Sequence, residues 1–104
     1  MADPPASPPG PAPAQIRRTV TIRNQRGLHA RAAARFVKLA FEYNADVTVA
    51  KTGSAPVSGR SIMGLMMLSA GPGCVIELGA TGPDAARALD ALAALITGGF
   101  NEQE

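Results

Sequence analysis

The sequence predicts an α+β open-faced sandwich: a four-stranded antiparallel sheet with three helices on one face, in the order β-α-β-β-α-β-α. Three observations carry that expectation. Stretches with apolar residues at every second position alternate with stretches whose apolar residues recur at helical spacing. Gly, Pro and Asn clusters fall between them. The chain has 104 residues, 46% hydrophobic and 17% charged, which suits one domain with a single modest core. The pattern leaves the strand arrangement open.

Residues 1–15 are rich in Pro and Ala, with Pro4, Pro5, Pro8, Pro9, Pro11 and Pro13 in one run. Proline removes backbone donors and favours extended conformations, so this stretch reads as a disordered tail. The domain is expected over 16–98. Residues 16–23 form a half-buried strand with Ile16, Val20 and Ile22 inward, and 24–27 turn the chain. The first helix runs over 30–43, burying Ala33, Val37, Ala40 and Phe41 with Phe36 at the edge of the stripe, and Asn44 ends it. The second strand covers 45–50 with Val47 and Val49 inward. A turn at 51–54 leads to a short third strand over 55–58, which Pro56 places on a sheet edge.

Residues 61–69 put apolar groups almost all the way round a short helix. Leu65 and Leu68 can face the core, which leaves Ile62, Met63 and Met66 on an outer face. Gly71-Pro72-Gly73 breaks that helix before a fourth strand over 75–80, with Ile76 and Leu78 inward. The last helix starts at Gly82-Pro83-Asp84, with proline in its first turn and an acid near its positive end. Its buried stripe is Ala85, Ala88, Leu89, Leu92, Leu95 and Ile96. Gly98-Gly99 stops it, and 99–104 read as a polar tail.

Composition excludes several classes of function. A net charge of +2 with few aromatics is no footprint for nucleic acid. The single cysteine, Cys74, cannot form an internal disulfide and has no partner at metal-ligand spacing, so neither a metal nor a cofactor is expected. The start of the chain lacks a signal-peptide pattern, and no apolar run is long enough to span a bilayer. The sequence therefore predicts a cytoplasmic monomer without membrane attachment.

The chemistry concentrates at Gly27-Leu28-His29-Ala30-Arg31, which holds the only histidine of the chain. The histidine stands where a strand gives way to an alanine-rich helix. A helix start carries amides without intrahelical partners at the positive end of the dipole, so the Ala30 and Arg31 N–H groups favour an anion such as phosphate. Imidazole can be neutral and nucleophilic near neutral pH, and it can accept a group and pass it on. Arg31 adds a permanently charged fork suited to phosphate oxygens. A helix cap or a packing residue is the plain alternative for a lone histidine.

Those residues, continuing into Ala32-Ala33, resemble the active-site segment of the histidine-containing phosphocarrier (HPr) family of bacterial phosphotransferase systems. Ser58-Gly59-Arg60-Ser61-Ile62-Met63-Gly64-Leu65-Met66 resembles the family's regulatory serine region. The resemblance spans roughly residues 16–97. It implies that an enzyme I-type donor phosphorylates His29, in the family on Nδ1, and that His29 passes the group to an enzyme IIA-type acceptor. It also implies that Ile62, Met63 and Met66 dock partners, and that Ser61 is a target of an HPr kinase/phosphorylase. The protein would be a stoichiometric shuttle and not an enzyme. Many relatives carry proline where Ala32 stands; alanine keeps the helix and relaxes local rigidity. Ala80-Thr81-Gly82-Pro83 and the Met/Leu-rich helix look closer to the nitrogen-related or regulatory branch. An acylphosphatase-like enzyme, a copper chaperone and a small-ligand regulatory domain share parts of the pattern. The first lacks its glycine-rich phosphate cradle here, the second its paired cysteines, and the third leaves His29 with Arg31 unexplained.

Overall fold

The computed structural model describes residues 15–102, so the Pro-rich run and the last residues of the chain lie outside the described residues. The strands are β1 (Ile16–Thr21), β2 (Asp46–Lys51), β3 (Val57–Ser58) and β4 (Val75–Thr81). The helices are α1 (Ala30–Ala40), α2 (Ile62–Met67) and α3 (Ala85–Thr97), followed by a 3-10 turn at Gly99–Asn101. The sheet is antiparallel throughout in the order β1-β4-β2-β3, which the sequence pattern left open. The last long strand thus lies between the first two, with Val20 opposite Ile76 and Val49 opposite Leu78. Short β3 takes the edge, where Pro56 costs no ladder bond.

The core forms where the inward residues of the sheet meet the helices: Val20, Ile22, Val47, Val49, Ile76 and Leu78 against Phe36, Leu65, Leu89, Leu92 and Ile96. Ala32 and Ala33 are fully buried, and their small side chains let the start of α1 approach its neighbours closely. Burial of this aliphatic set supplies the main favourable term, at about 25 cal/mol per Å2 of apolar surface.

Several expectations are corrected. The helix α1 stops at Ala40 instead of reaching 43; Phe41 and Glu42 close it with amides bonded to Val37 O and Leu39 O. Phe41, still in helical backbone, is nevertheless 61% exposed and meets the Arg60 guanidinium, while Phe36, assigned to the stripe's edge, lies in the core. In α3, Ala85, Ala88, Leu89, Leu92 and Ile96 are buried as expected; Ala93 joins the stripe and Leu95 is only half-buried. Asp84 stands at the N-cap of α3, the acid expected near its positive end, without a side-chain cap bond; its carboxylate accepts from the Asn44 amide at 2.9 Å and pins the α1–β2 connection to the start of α3.

The segment after Gly98 departs most from its expected character as a polar tail. Phe100 is fully buried and its carbonyl accepts from the Arg35 guanidinium. Phe100 and Asn101 both adopt left-handed backbone, at φ +57° and +60°, which non-glycine residues hold only when the surroundings enforce it. The buried ring supplies that enforcement. The turn therefore returns Glu102 to the start of α1.

Candidate functional site

The site is built at the loop between β1 and α1. Gly27 is required there by its backbone and by space. Its φ is +63°, and a Cβ would lie 2.3 Å from Ala70 O and 2.8 Å from Gly71 Cα. That close approach lets the Leu28 amide donate to Ala70 O at 2.9 Å, which ties the loop to the segment leaving α2. Leu28 goes into the core at 6% exposure, and His29 follows it, half-buried, at the start of α1.

His29 is the N-cap of α1, in extended backbone, and its carbonyl accepts the Ala33 amide at 2.8 Å. Its side chain is only partly exposed, at 14%. The Arg31 amide donates to His29 Nδ1 at 3.2 Å, and Nε2 contacts the Glu102 carboxylate. These two contacts define the tautomer. A nitrogen that accepts an N–H carries a lone pair, and a nitrogen against a carboxylate carries the proton. The neutral ring is therefore the Nε2–H form, with its lone pair on Nδ1 at the positive end of α1.

Glu102 is held from its other side as well. The amide nitrogen of Asn24, a residue 1% exposed, donates to Glu102 Oε1 at 3.0 Å and to Gly27 O at 2.8 Å. Desolvation pushes the Glu102 carboxyl up, but the hydrogen bonds from His29 and Asn24, with the charges of His29 and Arg26, outweigh it and hold the group below its usual value of 4.5. Glu102 was invisible to sequence reasoning because it lies 73 residues after His29, in what reads as a polar tail. The signal that could have pointed to it is Phe100, a lone large apolar residue in a stretch otherwise short of them.

Ala30 and Arg31 stand where expected, in the first turn of α1, with the Arg31 side chain exposed. The Arg31 amide, read as part of a phosphate cradle, is engaged with Nδ1 in this state. Arg35 is one turn further on and braces the terminal turn. Ser61 is the N-cap of α2, its Oγ accepting from the Gly64 amide at 2.9 Å. Neighbouring Arg60 points elsewhere: its guanidinium donates to Tyr43 O and Ala45 O and stacks on Phe41. Ile62, Met63 and Met66 are exposed at 41, 69 and 41%, and Met67, which the sequence reading left unassigned, is exposed at 75%. The Leu28–Ala70 bond sets this apolar face beside the histidine loop. No group of His, Cys, Asp and Glu side chains suited to a metal occurs among the described residues.

Fold and site together define a class: a small open-faced sandwich that places its one histidine at the N-cap of its first helix. The family model for the PTS HPr component phosphorylation site matches residues 16–98, and the chain belongs to the HPr family. It is a phosphocarrier of a phosphotransferase system. It is 47% identical over 89 residues to phosphocarrier protein HPr of Neisseria meningitidis serogroup A, a match covering 86% of this chain and 99% of the relative. It is 44% identical over 88 residues to phosphocarrier protein NPr of Shewanella violacea, covering 85% and 96%. Relatives of both names thus lie at similar distance, and identity does not divide the two branches. Among solved structures, HPr-C-His of Thermoanaerobacter tengcongensis superposes with a TM-score of 0.80 at 39% identity, covering 86% of this chain and 99% of that one. A phosphocarrier protein HPr of Bacillus anthracis gives 0.76 at 41% identity, covering 80% and 98%.

Proposed function

We propose that His29 carries the phosphoryl group on Nδ1, taking it from an enzyme I-type donor and delivering it to an enzyme IIA-type acceptor. The observation that carries the proposal is the Arg31 N–H on Nδ1, which leaves that nitrogen with the nucleophilic lone pair. As the phosphoryl group arrives it displaces this hydrogen bond. The freed Arg31 amide and the Ala30 amide then face phosphoryl oxygens at the positive end of α1, and the exposed Arg31 guanidinium supplies further donors. None of these groups encloses the phosphoryl, so the hold is loose enough for onward transfer. The protein acts as a stoichiometric monomeric carrier in the cytoplasm, with no cofactor of its own.

Ile62, Met63 and Met66, extended by Met67, form the apolar face on which donor and acceptor seat themselves beside His29. Methionines adapt their shape to different partners, as a shuttle serving more than one requires. Ser61 is the regulatory site, open to an HPr kinase/phosphorylase at the edge of that face. Incubation with phosphoenolpyruvate and enzyme I tests the central claim. Wild type should take up one acid-labile, base-stable phosphoryl group, and His29→Ala should take up none while keeping its fold. Full labelling of His29→Ala would remove His29 from the role.

A further inference from the structure

We infer that Met63, Met66 and Met67 form a reversible oxidation site, and that their conversion to sulfoxides by hydrogen peroxide lowers the affinity of this carrier for its phosphoryl donor. The inference rests on the reading of this face as the docking surface and adds a regulation to it. Three of the four methionines of the chain stand together on the six-residue helix α2. Met66 and Met67 lie three and four residues after Met63, so the three side chains share one side of the helix. They are exposed at 41 to 75%, which opens their sulfurs to a small oxidant. None of the three belongs to the core. Leu65 and Leu68 anchor α2 there, the Ser61 hydroxyl accepts the Gly64 amide at its start, and the Lys51 ammonium donates to Leu68 O at its end. Oxidation therefore changes the surface and leaves the helix its supports. The one thiol, that of Cys74, is half-buried.

The step balances without a cofactor. The thioether sulfur attacks one oxygen of the peroxide, an S–O bond forms and the O–O bond breaks. The electron pair of that bond leaves with the second oxygen, which takes the proton from the first and departs as water. Sulfur is oxidised by two electrons and the peroxide is reduced by two. The product replaces an apolar, polarizable contact with a polar S=O acceptor. In the free carrier water solvates that oxygen. Pressed against an apolar partner surface, it loses its water and gains no donor, and the penalty falls on the complex alone. His29 and the first turn of α1 are untouched, so transfer slows through binding and not through chemistry. Methionine sulfoxide reductases reverse the change, with two thiols oxidised to a disulfide and the oxygen released as water. The adaptability that suits methionine to a shuttle's docking face thus brings a sensitivity that leucine would not have.

The test treats the full chain with hydrogen peroxide, maps the added oxygens by peptide mass spectrometry, and follows phosphoryl transfer from phosphorylated enzyme I over a range of carrier concentrations. One oxygen should appear on each of the three sulfurs, on Met63 and Met67 ahead of the less exposed Met66. KM for the carrier should rise roughly tenfold to a hundredfold, the range of one or two buried polar groups left unsatisfied, at a nearly unchanged maximal rate. Reductase with dithiothreitol should restore KM, and dithiothreitol alone should not. A Met63→Leu/Met66→Leu/Met67→Leu protein, which keeps Cys74, is compared with itself before and after peroxide, and its KM should not move. An equal peroxide effect in that variant, a wild-type KM unmoved by full sulfoxidation, or loss of the folded circular-dichroism signal on oxidation overturns the proposal. A Met63→Gln/Met66→Gln/Met67→Gln protein separates the two readings, since its polar side chains should raise KM with no oxidant present. A wild-type KM there overturns the docking face and this inference with it. A raised KM there, beside a KM that oxidation leaves unmoved, overturns this inference alone.

Discussion

Replacing Phe100 with alanine tests whether the terminal turn is part of the site or merely follows the last helix. The ring is fully buried, and truncating such a phenylalanine costs about 3–5 kcal/mol. Part of that cost is recoverable here. Phe100 and Asn101 are held in left-handed backbone, a strain of about 1–2 kcal/mol at each non-glycine residue. Once the ring is gone the turn frays, and fraying releases the strain. The strain at the two residues sums to about 2–4 kcal/mol, so the expected net loss is about 1 kcal/mol, the truncation cost less the strain returned. In a domain of this size that lowers the melting temperature by about 4–8 °C. The same fraying withdraws Glu102 from His29, although Phe100 is not among the partners of the imidazole. Thermal melts by circular dichroism read the first effect, and the tautomer ratio of His29, by nitrogen NMR of its ring, reads the second, which should shift toward a mixture as in Glu102→Ala. A melting point within about 3 °C of wild type would refute the anchoring argument on the same scale. The expected fall in melting point with an unmoved tautomer ratio would refute the link from the turn to the site. Combining Phe100→Ala with Glu102→Ala should change the tautomer ratio no further than either alone, since both act on one contact.

Further tests bear on neighbouring groups. Arg31→Lys keeps the charge and loses the planar fork, so its transfer rate from enzyme I should lie between wild type and Arg31→Ala; equal rates for all three would make Arg31 an ordinary surface charge. Ser61→Ala forfeits the Gly64 cap and should cost about 1 kcal/mol by urea titration, with phosphoryl acceptance at His29 nearly unchanged. Kinase-treated Ser61 and, more weakly, Ser61→Asp should fold normally but accept phosphoryl more slowly, because added negative charge borders the apolar face proposed for docking; an unchanged rate after stoichiometric phosphorylation would reduce Ser61 to a cap. Glu102 has its folded carboxyl below its usual value of 4.5, so its contribution to stability is complete above that pH and is lost as pH falls through the folded value. The stability gap between wild type and Glu102→Gln should narrow as pH drops below 4.5, and a gap that stayed constant to pH 3 would contradict the lowered value.

Local signals determined much of this protein in advance. Alternation at Val47 and Val49 and at Ile76 and Leu78 depends only on the strand repeat, and those residues are buried as expected. The outward set Ile62, Met63 and Met66 followed from the geometry of a short helix with a single core to face. The place of His29 at a helix start was equally legible, since Gly27 before it and the alanine run after it are adjacent in sequence. Tertiary structure decided what depends on distant contacts. Strand order needed the pairing of β4 between β1 and β2, which no local pattern encodes. Phe41 and Phe36 exchanged the places that helical spacing suggested, because burial on α1 depends on which of its faces the sheet and the other helices cover. Above all, only the fold could bring Glu102 to His29. A polar residue near the end of a chain carries no periodicity that would mark its destination. Its position is fixed by one buried ring, Phe100, and by the Asn24 amide, both of which acquire their meaning only once the sheet and helices have closed around them.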